Sequence, residues 1–369
     1  MMVEAMQRAF KQNLEFIDWM SPQSAEAARA KLEHMVDLIG YPAFVLNNTW
    51  LDQGKKIILH PHDKYVLQQL LLLAYKDLDI QVGTYLMNVA NHRKFARRME
   101  LQDFFETPIR GTWNDFSHMA NIATVNAYYN QATNTMVVPI GMLQPPLFWS
   151  TPKSLTFGAF GIVVGESLLS LNNQRSMPNL LKKHIQKWPF IILLAHEITH
   201  AFDEVGIMYN SQGHFKPLYD NDTVEAFHKA SDCIRKQYST FNLDGMPVDG
   251  NTTLGENIAD HGGLRIAEIA YENWLNLNNG SDALLPALQD FTYMQLFYLG
   301  YALPWCATHN EAMLPQIIKD EHAPDRFRVL GPLSNSAKFA ETWGCAPKSA
   351  MNPPDKCPIW GNDYSNKGN

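Results

Sequence analysis

Along the first forty residues, apolar positions recur every three to four places. Met6, Phe10, Leu14 and Ile17 form one stripe, which predicts an amphipathic helix. Ser21-Pro22 then supplies a capping hydroxyl and a helix-starting proline. The helix they open is expected to carry Leu32, Met35, Val36 and Ile39 on one face and to stop at Gly40. Gly40-Tyr41-Pro42 breaks the pattern, and the stretch to about residue 60 reads as a loop between two lobes. Asp63 is placed to cap a third helix through Leu67–Tyr75. Between 121 and 149 the period changes. Thr124–Tyr129 and Thr135–Pro139 are rich in β-formers and are separated by the turn-prone Asn130–Asn134, which predicts a hairpin. Helical spacing returns over Thr223–Gln237, Leu254–Ala270 and Phe291–Leu303. The expected fold class is mainly α with a small β-hairpin or sheet (α+β).

The apolar run Phe190–Ala195 leads into His196-Glu197-Ile198-Thr199-His200. On a helix, residues four apart project from one face, about 40° apart. Two imidazoles so placed can share one Zn²⁺, with Glu197 beside the water that such a metal activates. The apolar flanks imply a buried helix. Two histidines and a carboxylate are costly there unless a metal compensates them. Downstream, Glu256 and Asp260 are again four apart on a helical pattern. Glu256 from this second helix would complete a His₂Glu set with one open position, the arrangement of catalytic zinc. Asp260, one turn on, would accept the second N–H of a liganding imidazole and fix its tautomer.

Composition narrows the field without adding chemistry. The 369 residues suffice for one large core or two domains, with 46% hydrophobic and 18% charged residues. A net charge of −7 argues against nucleic acid or an anionic membrane surface as the main partner. No apolar run is long enough to span a bilayer, and Met1 opens directly into an amphipathic pattern instead of a signal peptide. The four cysteines, Cys233, Cys306, Cys345 and Cys357, are too widely spaced for a structural zinc site, which leaves disulfides or buried thiols. Asn47, Asn221, Asn251 and Asn279 each begin a glycosylation sequon.

Five segments in order resemble the neprilysin family of zinc metallopeptidases: Val125–Tyr129, Val138–Pro146, His196–Asp203, Gly255–Asp260 and Cys357–Trp360. The resemblance covers nearly the whole chain, as the C-terminal half of a family ectodomain. It implies a gluzincin-type catalytic lobe with its zinc helix, over residues 58–369. Residues 1–57 would be the end of a helical second lobe. It also implies one Zn²⁺ on His196, His200 and Glu256, with Glu197 as general base and then acid. His322 would stabilise the transition state, Arg328 would bind a substrate carbonyl, and Asn126 and Ala127 would hold the substrate backbone. Met142 and Trp305, with Leu147, Ile162 and Val163, match a pocket for a hydrophobic residue just after the cleaved bond. The resemblance pairs Cys233 with Cys357. It implies small peptide substrates and an extracellular or cell-surface location, with any membrane anchor on a missing N-terminal segment.

One departure stands out. In the family, a run like Phe157–Gly165 leads straight into the zinc-binding motif, whereas here residues 166–195 intervene. Gly165-Glu166 and Leu194-Ala195 can both be encoded as splice-site patterns, so a retained intron is one expectation. Sequencing the mature transcript decides it, because a message carrying the segment uniformly removes the idea. The competing expectation for the whole chain is a catalytically impaired fragment that binds peptides or a partner.

Overall fold

The computed structural model describes residues 2–41, 79, 81, 83–103, 123–143, 152–158, 192–284 and 288–361. The expected helix at 67–75 and most of the 166–195 segment lie outside them, as do Leu147, Ile162 and Val163. Within the described residues the fold is mainly α with two small sheets, as the hydrophobic pattern predicts.

Helix α1 (Met2–Leu14) buries Met6, Ala9, Phe10 and Leu14. Phe10 meets Phe202 at 4.7 Å and Trp360 at 5.6 Å between ring centroids, so the first helix packs on both the His196–Asp203 segment and the segment around Trp360. Helix α2 (Pro22–Glu33) starts as expected, with Ser21 accepting from the Ser24 N–H at 3.1 Å. It ends six residues early. His34 caps it, and residues 36–40 form strand β1 (Val36–Gly40), whose exposure alternates along the strand. This corrects the helix expected to continue to Ile39. The physical reason is non-local: β1 pairs in parallel with β3 (Thr135–Pro139), Val36 opposite Thr135 and Gly40 opposite Pro139. Val36 and Ile39 are β-branched, and the free edge of β3 gives their backbone a ladder that local spacing cannot reveal.

The predicted hairpin is present. β2 (Tyr128–Asn130) pairs antiparallel with β3, giving the order β1-β3-β2 with the wholly buried β3 in the centre. Helix α3 (Tyr85–Asp103) lies between β1 and β2 along the chain, and α4 (Lys153–Gly158) follows β3. Next come α5 (Ile192–Thr199), α6 (Asn221–Tyr238) and a two-strand ribbon, β4 (Asn242–Leu243) with β5 (Met246–Pro247). Helix α7 (Leu254–Leu277) is the spine, buried at almost every position from Asn257 to Tyr271. It is followed by α8 (Tyr293–Ala302), α9 (Leu314–Ile317), α10 (Asp325–Asn335) and α11 (Ala337–Thr342).

Helix α7 crosses α5 at Gly262. A Cβ there would lie 2.4 Å from Thr199 Cγ2 and 2.9 Å from Trp360 Nε1, so only glycine lets the two helices meet. The tail closes this packing. Cys233 and Cys357 form a disulfide, Trp360 Nε1 donates to the Ile258 carbonyl at 3.0 Å, and Asn13 donates to the Trp360 carbonyl at 2.9 Å. Buried residues between Met6 and Met35 share one hydrophobic core with α5 and α7. The boundary at residue 57 lies outside the described residues. Among the described residues, no helix is long and apolar enough to cross a membrane.

Candidate metal centre and active site

Three elements build the site. Helix α5 supplies His196 and Glu197, and His200 sits just past its last residue with its N–H still bonded to the His196 carbonyl at 3.1 Å. Glu256 lies in the first turn of α7, where the helix dipole favours a carboxylate. Helix α10 brings Arg328, and the loop before it brings His322.

The donor atoms converge. His196 Nε2 and His200 Nε2 are 3.0 Å apart, and Glu256 Oε2 and Oε1 lie 3.2 Å and 3.5 Å from them respectively. The other face of each ring is anchored: His196 Nδ1 meets Asp260 Oδ1 at 2.9 Å, and His200 Nδ1 meets Asp203 Oδ2 at 2.7 Å. Two imidazoles that donate through Nδ1 turn their Nε2 lone pairs to the same point. Two facing lone pairs and a carboxylate repel one another unless a cation lies between them. Glu256 Oε2 is also buried without a hydrogen bond inside the protein. The residues present therefore fit a zinc ion in kind, number and orientation.

The carboxylates around the two rings make the pocket favour positive charge, the place a cation would take. Burial alone would lower the His200 pKa, but the Asp203 hydrogen bond and the Glu256 charge raise it to about 10. Burial pushes Glu256 up, yet the adjacent His196 ring and the other imidazoles beside it hold it well below the usual carboxylate range. Glu197 is buried, and burial is the main cause raising its pKa.

Around this centre, Arg328 is 5% exposed and grips Asp260 through Nε and Nη2, both at 2.7 Å. Its guanidinium stacks on Trp305, 4.1 Å from the ring centroid, and Nη2 reaches Glu256 at 3.6 Å. Half-exposed His322 turns Nε2 to Glu256 Oε2 at 3.3 Å and Nδ1 to Asp320 at 2.6 Å. Ala127 is buried just before β2, and the exposed Asn126 folds its Oδ1 back to accept from the Ala127 N–H at 2.9 Å. Met142 is fully buried in the main core, in the turn after β3. Its burial leaves a place in a substrate pocket as an expectation only.

Two anchors escaped the sequence reading. Asp203, three residues after His200, orients that ring, and Asp320 does the same for His322. The signal for Asp203 was its spacing within His200-Ala201-Phe202-Asp203. Its geometry comes from a tight turn in which Asp203 Oδ1 accepts from the Val205 N–H at 2.9 Å and the Gly206 N–H at 2.6 Å.

The family profile described as "Peptidase family M13" matches residues 126–174 and 192–359, and a second profile with the same description matches residues 1–42. The chain belongs to peptidase family M13. This M13 chain is 35% identical to endothelin-converting enzyme 1 of Homo sapiens over 355 residues, which is 96% of the chain and 39% of that protein. It is 34% identical to neprilysin-3 of Drosophila melanogaster over 361 residues, 97% of the chain and 39% of that protein. The chain thus spans about two fifths of the length of these curated relatives. Among solved structures, the inhibitor complex of the Mycobacterium tuberculosis zinc metalloprotease Zmp1 superposes with a TM-score of 0.74 at 25% identity, over 97% of this chain and 46% of that one. PepO of Lactobacillus rhamnosis shares the fold, with a TM-score of 0.71 at 21% identity over 98% of this chain and 46% of that chain. Residues 175–191 fall between the two matched blocks, inside the 166–195 segment that the sequence set apart.

Proposed function

We propose that this chain carries the catalytic centre of a zinc metalloendopeptidase that hydrolyses small peptides on the amino side of hydrophobic residues. The single observation that carries this reading is the convergence of His196, His200 and Glu256 beside the buried Glu197. One Zn²⁺ per chain, held by those three side chains, would supply Lewis acidity toward the scissile carbonyl and the attacking water.

The remaining roles belong to the chain's own residues. Glu197, with its pKa raised by burial, takes the proton of the attacking water and returns it to the departing amine nitrogen. His322 Nε2–H donates to the oxygen that gains charge as the carbonyl is attacked, a contact typically contributing about 3 kcal/mol. Asp320 holds that ring in place. Asp260 anchors both His196 and Arg328, so it ties the metal side of the site to the substrate side. The N–H groups of Arg328 that Asp260 leaves free are assigned to a substrate carbonyl. Asn126 and Ala127, beside edge strand β2, align the peptide backbone, with the Asn126 amide leaving its internal bond to do so. Trp305, under the Arg328 guanidinium, and Met142 are assigned to the pocket for the hydrophobic side chain. A disulfide between Cys233 and Cys357 supports an extracellular or cell-surface setting.

A second reading, a peptide-binding fragment without turnover, is favoured by the share of the relatives' length that the chain covers and by the unmatched residues 175–191. One experiment separates the two. Bound zinc is measured together with chelator-sensitive cleavage of a short peptide, with and without residues 166–195. Cleavage that is lost to chelator supports the peptidase. Zinc without cleavage supports the binding fragment.

A further inference from the structure

Three imidazoles, not two, point at Glu256. His322 Nδ1 lies 2.6 Å from Asp320, just as His196 Nδ1 lies 2.9 Å from Asp260 and His200 Nδ1 lies 2.7 Å from Asp203. Each ring is thereby fixed by a carboxylate on one nitrogen and presents the other, which is how ligating histidines are held. Glu256 Oε2 sits between two of the presented nitrogens, 3.2 Å from His196 Nε2 and 3.3 Å from His322 Nε2. It is buried and has no hydrogen bond within the protein. Glu321, next to His322, completes a second constellation: one ligand atom each from Glu256, Glu321 and His322 lie within 4.8 Å of one another. A carboxylate offers about four lone-pair directions, so Glu256 can serve two cations at once.

We infer a second divalent-metal site made by His322 and Glu321, sharing Glu256 with the first; this inference rests on His196, His200 and Glu256 being the metal centre proposed above. One imidazole and two carboxylates are a donor set that zinc accepts. The two sites differ in exposure. The first is walled in by α5 and α7, whereas Glu321 is exposed and the His322 side chain is 44% exposed. The second ion is therefore the weaker and more readily exchanged. Its effect follows from the nitrogen it occupies. His322 Nε2 cannot donate to the substrate oxygen while its lone pair holds a cation. Free zinc above the level that fills the first site thus lowers peptide cleavage, and Glu321 sets the threshold.

The test titrates the whole chain with Zn²⁺ alone at neutral pH and counts bound metal after dialysis, for wild type and Glu321→Gln. Wild type is expected to bind one ion tightly and a second more weakly. Glu321→Gln keeps the first and weakens the second by roughly 10–100-fold, at least what loss of an outer anchor costs a metal site. Cleavage by wild type falls as the second ion binds. Glu321→Gln, outside the assigned catalytic groups, cleaves normally at low zinc and resists the excess. Retention of the first ion shows that the variant is folded. A wild type that saturates at one ion, or a variant whose second affinity is unchanged, overturns the second site and leaves the first standing. Failure of wild type to bind any zinc overturns both.

Discussion

Glu197 is a buried carboxylate set between two histidines, and its raised pKa makes it a better proton acceptor than an exposed glutamate at neutral pH. Glu197→Gln preserves the shape and removes the basic oxygen. Zinc binding should persist while peptide cleavage falls by about 10²–10⁴-fold; metal analysis and turnover on one sample check this, and unchanged turnover refutes the role. Asp203 acts on the ring of His200, so Asp203→Asn should weaken zinc by roughly 10–100-fold, read by competition with a chelator of known affinity. The cluster was legible in sequence because helical spacing is local: four residues put His196 and His200 on one face, and Glu256 and Asp260 on another. Asp203 was not, because its aim depends on the turn through Gly206, where a Cβ would lie 2.1 Å from the His200 carbonyl. Asp320 was hidden for the same reason, since only the folded loop brings it onto His322.

Helix α7 is where the elements constrain one another. Gly262→Ala puts a methyl against Thr199, one residue before His200, so α5 and α7 must separate. The expected cost is about 1–3 kcal/mol with a fall in zinc affinity, measured by denaturant unfolding and metal competition. His261, next along the helix, is buried, with Nδ1 bonded to the Asn257 carbonyl at 2.7 Å and Nε2 facing the Asn335 amide at 2.8 Å. Burial lowers its pKa to about 4 from 6.5. Between those values the unfolded chain binds more protons. The stability tied to neutral His261 is therefore complete above pH 6.5 and is lost as pH falls through about 4. Its size is on the order of 3 kcal/mol. His261→Gln should flatten that part of the stability–pH curve, compared in chelator so that metal loss does not enter; parallel curves would refute the assignment. Helix α7 was visible as an apolar helical pattern, though it runs a further turn or two, to Leu277. Strand β1 was not visible, because its partner lies about a hundred residues away while Leu32, Met35, Val36 and Ile39 keep helical spacing.

Over the whole molecule, the Cys233–Cys357 bridge closes a 124-residue separation between α6 and the tail. In the chain-entropy account a loop of that size contributes about 5 kcal/mol. Replacing both cysteines with serine should lower stability by about that amount, seen as a shift in the denaturant midpoint that added reductant no longer changes. Sequence could name the pair by resemblance but not the core it staples, in which Phe10, Phe202 and Trp360 meet. That meeting also sets an order of events in biosynthesis. A ribosome releases His196, His200 and Glu256 more than a hundred residues before Trp360, whose indole donates to the Ile258 carbonyl of α7. Nascent chains therefore carry the metal-binding groups before the packing that holds them in register. On the proposed reading, stable metal binding requires the segment around Trp360 and the Cys233–Cys357 bridge beside it.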